Sequence, residues 1–282
     1  MSRPLRIGLC TDSNAQLPAA LARRFGVEVV PVTITIDHEE YLEGVDLDAE
    51  AFYARFDHRA RPEILTSQPS PGQFALAYEA LLDGGCTEIL SIHVASSVSG
   101  TLNSARLAAH RLGAPVRLVD SGAVSFGIGC CVWAAGEALE RGATIDEAAM
   151  VAETLAPTVG NVFITSPLDL VRSGGHCDAS APIHGLPVLE TRDGLVSVVS
   201  EVDSVLAAVN VMAMAIIGHG RHLRVAVGHA DAATEPIADA VASAAGETAA
   251  VDEVIRYRIG PSVGAHLGPG CVECFMFETT TT

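Results

Sequence analysis

Short apolar strands alternate with helical segments along the first 155 residues, and this alternation limits the fold more than any other feature of the chain. Strands read at "RIGLCTD" (6–12), "VEVVPVTITI" (27–36), "EILSIHV" (88–94) and "PVRLVDS" (115–121). Between them, helices read at "SNAQLPAALARRFG" (13–26), "DAEAFYARFDHRA" (48–60), "FALAYEALLDGG" (74–85) and "TLNSARLAAHRLG" (101–113), and a further helix follows at "GIGCCVWAAGEALERG" (127–142). Ser13 has the chemistry of an N-cap and Gly26 that of a helix stop. "DHEEYLEG" (37–44) reads as a polar turn or short excursion, and "ILTSQPSPGQ" (64–73) as a loop. Strand–helix–strand units cross over right-handed, so the pattern predicts an α/β fold with a mainly parallel sheet.

Beyond residue 155 the alternation loosens. "NVFITSP" (161–167) reads as a strand and "LDLVRSGG" (168–175) as a short helix, and two strands within 181–202 meet at Arg192-Asp193-Gly194, a hairpin signal. The helix 204–218, strand 223–230, helix 235–246 and strands 251–260 and 271–277 complete a smaller unit with a mixed sheet. The expected organisation is two α/β domains, 1–157 and 158–282.

Charge narrows the function. A net charge of -17, with every one of the 17 basic residues an arginine, excludes nucleic acid and an anionic membrane surface as partners. The absence of lysine removes Schiff-base and P-loop chemistry. "MSRPLRIGLC" has too short an apolar run for a signal peptide, and the longest apolar stretch is interrupted by Asn210. That stretch falls short of the ~18 residues a membrane span needs. Seven irregularly spaced cysteines predict a reducing, cytoplasmic setting.

Four hydroxyl-rich segments fall at strand ends: Thr11-Asp12-Ser13, Thr66-Ser67-Gln68, the run Ser96-Ser97-Val98-Ser99-Gly100-Thr101, and Asp120-Ser121. A single such hydroxyl is ordinarily a helix cap. Four in one domain, at the carboxyl edge of a parallel sheet, predict a cradle for a carboxylate or phosphate. A serine enzyme is the competing reading, built on Ser97 and His266, although the Gly-x-Ser-x-Gly elbow is absent from the loop. Cys271 and Cys274 lie in a strand, where positions i and i+3 face opposite ways, so no metal site is expected there. His219 and His222 read as a polar linker, "GAHLGPG" (264–270) as a turn around His266, and "GIGCCVWAAG" lacks the rest of a dinucleotide fingerprint.

The segments "TDSNAQLP" (11–18), "VVPVTI" (29–34), "TSQPSPGQF" (66–74), "SSVSGTLNSA" (96–105), "LVDS" (118–121), "LVRSGG" (170–175) and "HLGPG" (266–270), in this order, resemble the DegV family of lipid-binding proteins. The resemblance implies a long-chain fatty acid buried between two α/β domains as the ligand, with no other cofactor. First-domain hydroxyls would hold its carboxylate: Thr66 and Ser67 from one motif, Ser96, Ser97, Ser99 and Thr101 from the next, with Ser121 nearby and His266 near the head group. It also implies a binding subunit that presents the acyl group to a partner fatty-acid kinase and has no activity of its own. The chain departs from the family where an Arg is replaced by His176; Arg172, four residues earlier, is the candidate substitute for contact with phosphate or partner. Leu186-Pro187, "SEVDSVLAAV" and "CVECFMF" depart too, so a divergent member with a different ligand stands as a further alternative.

Overall fold

Four parallel strands carry the first unit: β1 (Ile7–Asp12), β2 (Val27–Val30), β6 (Glu88–His93) and β7 (Val116–Asp120), in the order β2-β1-β6-β7. The computed structural model describes residues 6–57, 62–166, 184–192 and 195–279. Successive side chains of a strand point to opposite faces, and here both faces are covered. Leu9, Leu90, Ile92 and Val119 pack into one core with helices α5 (Phe126–Glu140) and α6 (Ile145–Leu155). Cys10, Ile89 and Val30 pack into the other with α3 (Pro71–Asp83) and α4 (Thr101–Ala109). Reciprocal capping boxes start two of these helices, Ser70 with Gln73 at α3 and Thr144 with Glu147 at α6. The sequence reading passed over α6, whose Thr-x-x-Glu box was the available signal. The Gly-Ile-Gly at the start of α5 serves packing: a Cβ on Gly129 would come within 2.7 Å of the Ala15 carbonyl oxygen, so only glycine allows this approach.

Four expectations in this unit are corrected. The run 27–36 is two strands, because Pro31 has no N–H to give a ladder: β2 ends at Val30, and β3 (Thr33–Ile36) joins a different, antiparallel sheet. The stretch after it is β4 (Glu39–Leu42), turned back through Asp37 and His38 at φ 48° and 74°. Residues 64–67 are also a strand, β5 (Ile64–Ser67), and the three-stranded order is β4-β3-β5. Ser13 caps nothing: residues Ser13–Ala15 form a 3-10 turn capped by Asp12, and α1 (Ala19–Phe25) starts after Pro18 and ends at Gly26 in the left-handed region.

The second unit is built on a six-stranded mixed sheet, ordered β10-β9-β8-β13-β11-β12. Its strands are β8 (Gly160–Ile164), β9 (Leu186–Arg192), β10 (Leu195–Val202), β11 (Leu223–His229), β12 (Val251–Arg258) and β13 (Val272–Glu278). Only β11 and β12 run parallel; the other pairs are antiparallel, with β9 and β10 paired from Arg192 and Leu195 outward. Helices α7 (Val205–His219) and α8 (Glu235–Gly246) bury Met212, Ile216 and Val241 against Val162, Val188, Val225 and Cys274 on one face. The stretch 264–270, read from sequence as a turn, begins inside a short helix, α9 (Pro261–Leu267), with proline in its first turn.

Contacts divide the chain into Met1–Asp46 with Glu63–Thr158, and Leu47–Pro62 with Val159–Thr282. Residues 47–62, which the sequence reading kept in the first domain, therefore group with the second. The reason is aromatic: Phe52 and Tyr53 of α2 (Ala49–Tyr53) lie so close to Gly264 of α9 that a Cβ there would sit 2.8 Å from one ring and 2.5 Å from the other's hydroxyl. The short helix runs into a 3-10 turn, Ala54–Asp57, where one continuous helix was expected, and the last residues of that expected helix, 58–60, lie outside the described residues. No helix among the described residues is long and apolar enough to cross a membrane.

Candidate functional site

Two of the hydroxyl-bearing motifs meet in the first unit. Thr66 and Ser67 end β5, paired in register with Ile34 and Thr33 of β3. The chain then passes Gln68, whose amide donates to Ser104 Oγ of α4 at 3.3 Å. Gly100, at the start of α4, lies directly against that amide, and a Cβ there would overlap it. Thr66-Ser67-Gln68 and the loop 96–101 therefore form one surface.

The hydroxyls of this surface fall into two groups. Ser96 donates its only O–H to Asp120 Oδ2, and its backbone N–H donates to Oδ1 at 3.1 Å. Ser99, just before α4, and Thr101, its first residue, bond each other at 2.8 Å. Ser121, buried, donates to the His93 carbonyl at 2.7 Å and accepts from the Ala123 N–H at 3.1 Å. These four hold the loops in place. Thr66, Ser67 and Ser97 differ: their hydroxyls have no hydrogen-bond partner among the described residues, and Ser67 and Ser97 are exposed.

The Asp120 anchor has a pH signature. Burial alone would raise this carboxyl, but the Ser96 hydroxyl, the Gly122 and Ser96 N–H groups and the Arg106 charge together hold it below its ordinary 3.8. A depressed carboxyl contributes its stability above the ordinary value and loses it as pH falls through the folded value. Ser96→Ala removes the largest of these favourable contacts. The variant is expected to lose less stability than the parent between about pH 7 and about pH 3, read from urea midpoints at each. Equal losses in the two proteins would show that the Ser96–Asp120 contact does not matter to the fold.

Sequence reasoning missed a buried polar chain beneath the loop. Tyr78, Ser91, His93 and Asp12 are all 0% exposed and bonded in series: Tyr78 Oη to Ser91 Oγ at 2.9 Å, Ser91 Oγ to His93 Nε2 at 2.6 Å, and His93 Nδ1 to Asp12 Oδ2 at 2.9 Å. A carboxylate only accepts, so Nδ1 carries a proton toward Asp12; in the neutral imidazole Nε2 then accepts from Ser91, and Ser91 accepts from Tyr78. Asp12 also accepts from the Val94 N–H at 3.2 Å and from the Asn14 side chain at 2.7 Å. It thus joins the ends of β1 and β6 where the loop begins. The Ser–His–Asp contact resembles a catalytic set, yet it is sealed from any substrate. The readable signal was Ser91 and His93 at i and i+2 of an otherwise apolar strand.

Ser97 has no base bonded to it among the described residues, which weakens the serine-enzyme alternative. His266 lies in the last turn of α9, in the second unit, and is exposed. Arg172 and His176 lie outside the described residues. Burial pushes the thiols of Cys10 and Cys131 up to about 12, which makes them poor nucleophiles. No metal-ligating cluster occurs among the described residues, and Cys271 and Cys274 are both buried as free thiols.

The sequence profile of the DegV family, described as that of an uncharacterised protein, matches residues 6–279. The chain belongs to the DegV family. A DegV domain-containing protein of Streptomyces coelicolor is 30% identical, over 96% of this chain and 97% of its own length. A DegV family protein from Thermus thermophilus, described for its fatty acid binding, superposes with a TM-score of 0.86 at 26% identity, covering 98% of this chain and all of that one (100%). DegV of Bacillus subtilis, a fatty acid binding protein, superposes at 0.82 with 23% identity over 98% and 100% of the two chains, a likeness that shows the shared fold.

Proposed function

We propose that this DegV-family chain binds a long-chain fatty acid and holds its carboxylate with the hydroxyls of Thr66, Ser67 and Ser97. One observation carries the reading: of the seven first-unit hydroxyls that the resemblance places around the carboxylate, these three alone lack a hydrogen-bond partner among the described residues, and they belong to motifs that pack together. A carboxylate leaving water needs such donors, because unpaired burial costs several kcal/mol. The acyl tail supplies the larger favourable term, about 0.8 kcal/mol per buried methylene. Fatty acid binding by the Thermus thermophilus relative supports the same ligand class. Ser96, Ser99, Thr101 and Ser121 then shape the site by holding its loops. The resemblance adds His266, whose imidazole belongs to the one side-chain type that changes charge near neutral pH. On this reading the chain is a binding subunit, and a partner fatty-acid kinase phosphorylates the presented acyl group, with Arg172 and His176 as the residues to examine for that contact.

The deciding experiment is to purify the full chain from a bacterial host and weigh it under native and then denaturing conditions. The expected result is a native mass excess the size of one long-chain fatty acid, released on denaturation. A bare protein that also takes up no added fatty acid would sink the reading and favour a divergent ligand.

A further inference from the structure

One imidazole in the second unit faces two donors at once. His229 ends β11, nearly buried at 9% exposure, with Arg256 Nη2 3.1 Å from its Nδ1 and Arg258 Nη1 3.1 Å from its Nε2. Guanidinium N–H groups only donate, whereas a neutral imidazole has one acceptor nitrogen and one N–H. One of the two contacts therefore sets N–H against N–H. Protonation would make both contacts repulsive, and His229 titrates below its ordinary value through burial first and then the Arg258 and Arg256 charges, against the opposing pull of Glu235 and Asp239.

The two arginines are not equivalent. Arg256 is anchored elsewhere, by an ion pair with Asp239 and a bond from its Nε to the Val227 carbonyl at 3.1 Å. Arg258 has no ion pair among the described residues, and its Nε is buried without an acceptor. Its guanidinium carbon lies 6.0 Å from the ring centre of Tyr53, and the Tyr53 hydroxyl, on a residue 5% exposed, is also buried without a partner. Nearby carboxylates are otherwise engaged. Asp231 accepts from the Thr234 N–H and hydroxyl and from the Gly270 N–H, and Glu273 accepts from Tyr257. Three donors thus share one neighbourhood and have no common acceptor: Arg258 Nε–H, the Tyr53 O–H and the His229 N–H.

We propose that Tyr53, His229 and Arg258 form an oxyanion site for a phosphate group, at the carboxyl edge of the parallel pair β11–β12. Loops at the carboxyl ends of parallel strands are where α/β sheets bind ligands. With the imidazole proton on Nε2, a phosphate oxygen placed beside Arg258 Nη1 and His229 Nε2, which are 3.1 Å apart, accepts from both in place of the opposed N–H contact, and further oxygens serve the Tyr53 hydroxyl and the free edge of the guanidinium fork. None of these residues is among the hydroxyls assigned to the fatty acid, so the two readings stand or fall separately.

The test titrates the full chain with inorganic phosphate, with glycerol 3-phosphate as a phosphomonoester and with acetate, following the His229 ring signals by NMR. His229→Gln assigns those signals. Saturable shifts with a phosphate are expected, and the tighter of the two identifies free phosphate or a phosphorylated molecule as the source. Arg258→Gln should weaken binding by about tenfold or more, with Arg258→Lys between the two. Tyr53→Phe should weaken it several-fold while leaving the melting midpoint unchanged or raised, because the hydroxyl it removes has no partner in the fold. Absence of any saturable shift, tighter binding of acetate than of phosphate, or a Tyr53→Phe variant that melts lower with unaltered phosphate affinity would each overturn the proposal.

Discussion

Asp12→Ala is expected to cost about 3–5 kcal/mol of unfolding free energy, a large share of the 5–15 kcal/mol that holds a typical domain folded. The carboxylate is wholly buried, and its removal strands several donors together: His93 Nδ1–H, the Val94 N–H, and the backbone and side chain of Asn14. Each buried donor left without an acceptor costs about 1–3 kcal/mol, which applies to the His93 and Val94 N–H groups, whereas Asn14 is only half-buried. Asp12→Asn tests the same point more gently. One amide oxygen can still accept, but an N–H₂ now faces a donor, so its loss should fall between those of the parent and the alanine variant. Urea unfolding of the three purified proteins measures this order. A loss below about 1 kcal/mol for Asp12→Ala would mean that β1 and β6 do not depend on this chain of bonds.

That same polar chain shows where sequence reading stops. The parallel sheet was legible because alternating strands and helices leave few other ways to bury both faces of each strand. Pro31 was legible in principle, since a residue without an N–H cannot sit inside a central strand, but the β-branched residues on either side masked the break. Ser91 and His93, polar residues on one face of an apolar strand, were legible in principle but passed over. Their partner Asp12 is 81 residues from His93, and only the register of β1 beside β6 brings the two together. Ser96 and Ser97 are alike in sequence. What separates them is Asp120, 24 residues after Ser96, at the end of the neighbouring strand, which engages one hydroxyl and leaves the other. A local pattern can nominate a cradle of hydroxyls. Which members hold the loop and which face a ligand depends on long-range pairing.

The distinction between those two kinds of hydroxyl makes the double variant Thr66→Val, Ser97→Ala the most informative one for function. Valine keeps the shape of threonine and alanine removes one oxygen from serine, so the surface is altered almost only in its donors. Neither hydroxyl has a partner within the described fold, and stability should therefore change by no more than about 0.5 kcal/mol. Binding should change far more. A hydrogen bond to a charged group contributes about 1.5–3 kcal/mol, so losing two should weaken fatty-acid affinity by roughly 10² to 10⁴. The pairing of outcomes matters more than either alone, and it is read from the dissociation constant of a fluorescent long-chain fatty acid beside the urea midpoint of the same preparation. Weak binding by a stable protein assigns the hydroxyls to the carboxylate. Unchanged affinity would place the head group elsewhere and return Ser97 to the role of an ordinary loop residue. Parallel loss of stability and affinity would mean that the two hydroxyls support the loops as Ser96 does, because a donor that serves only the ligand is not missed when the protein folds.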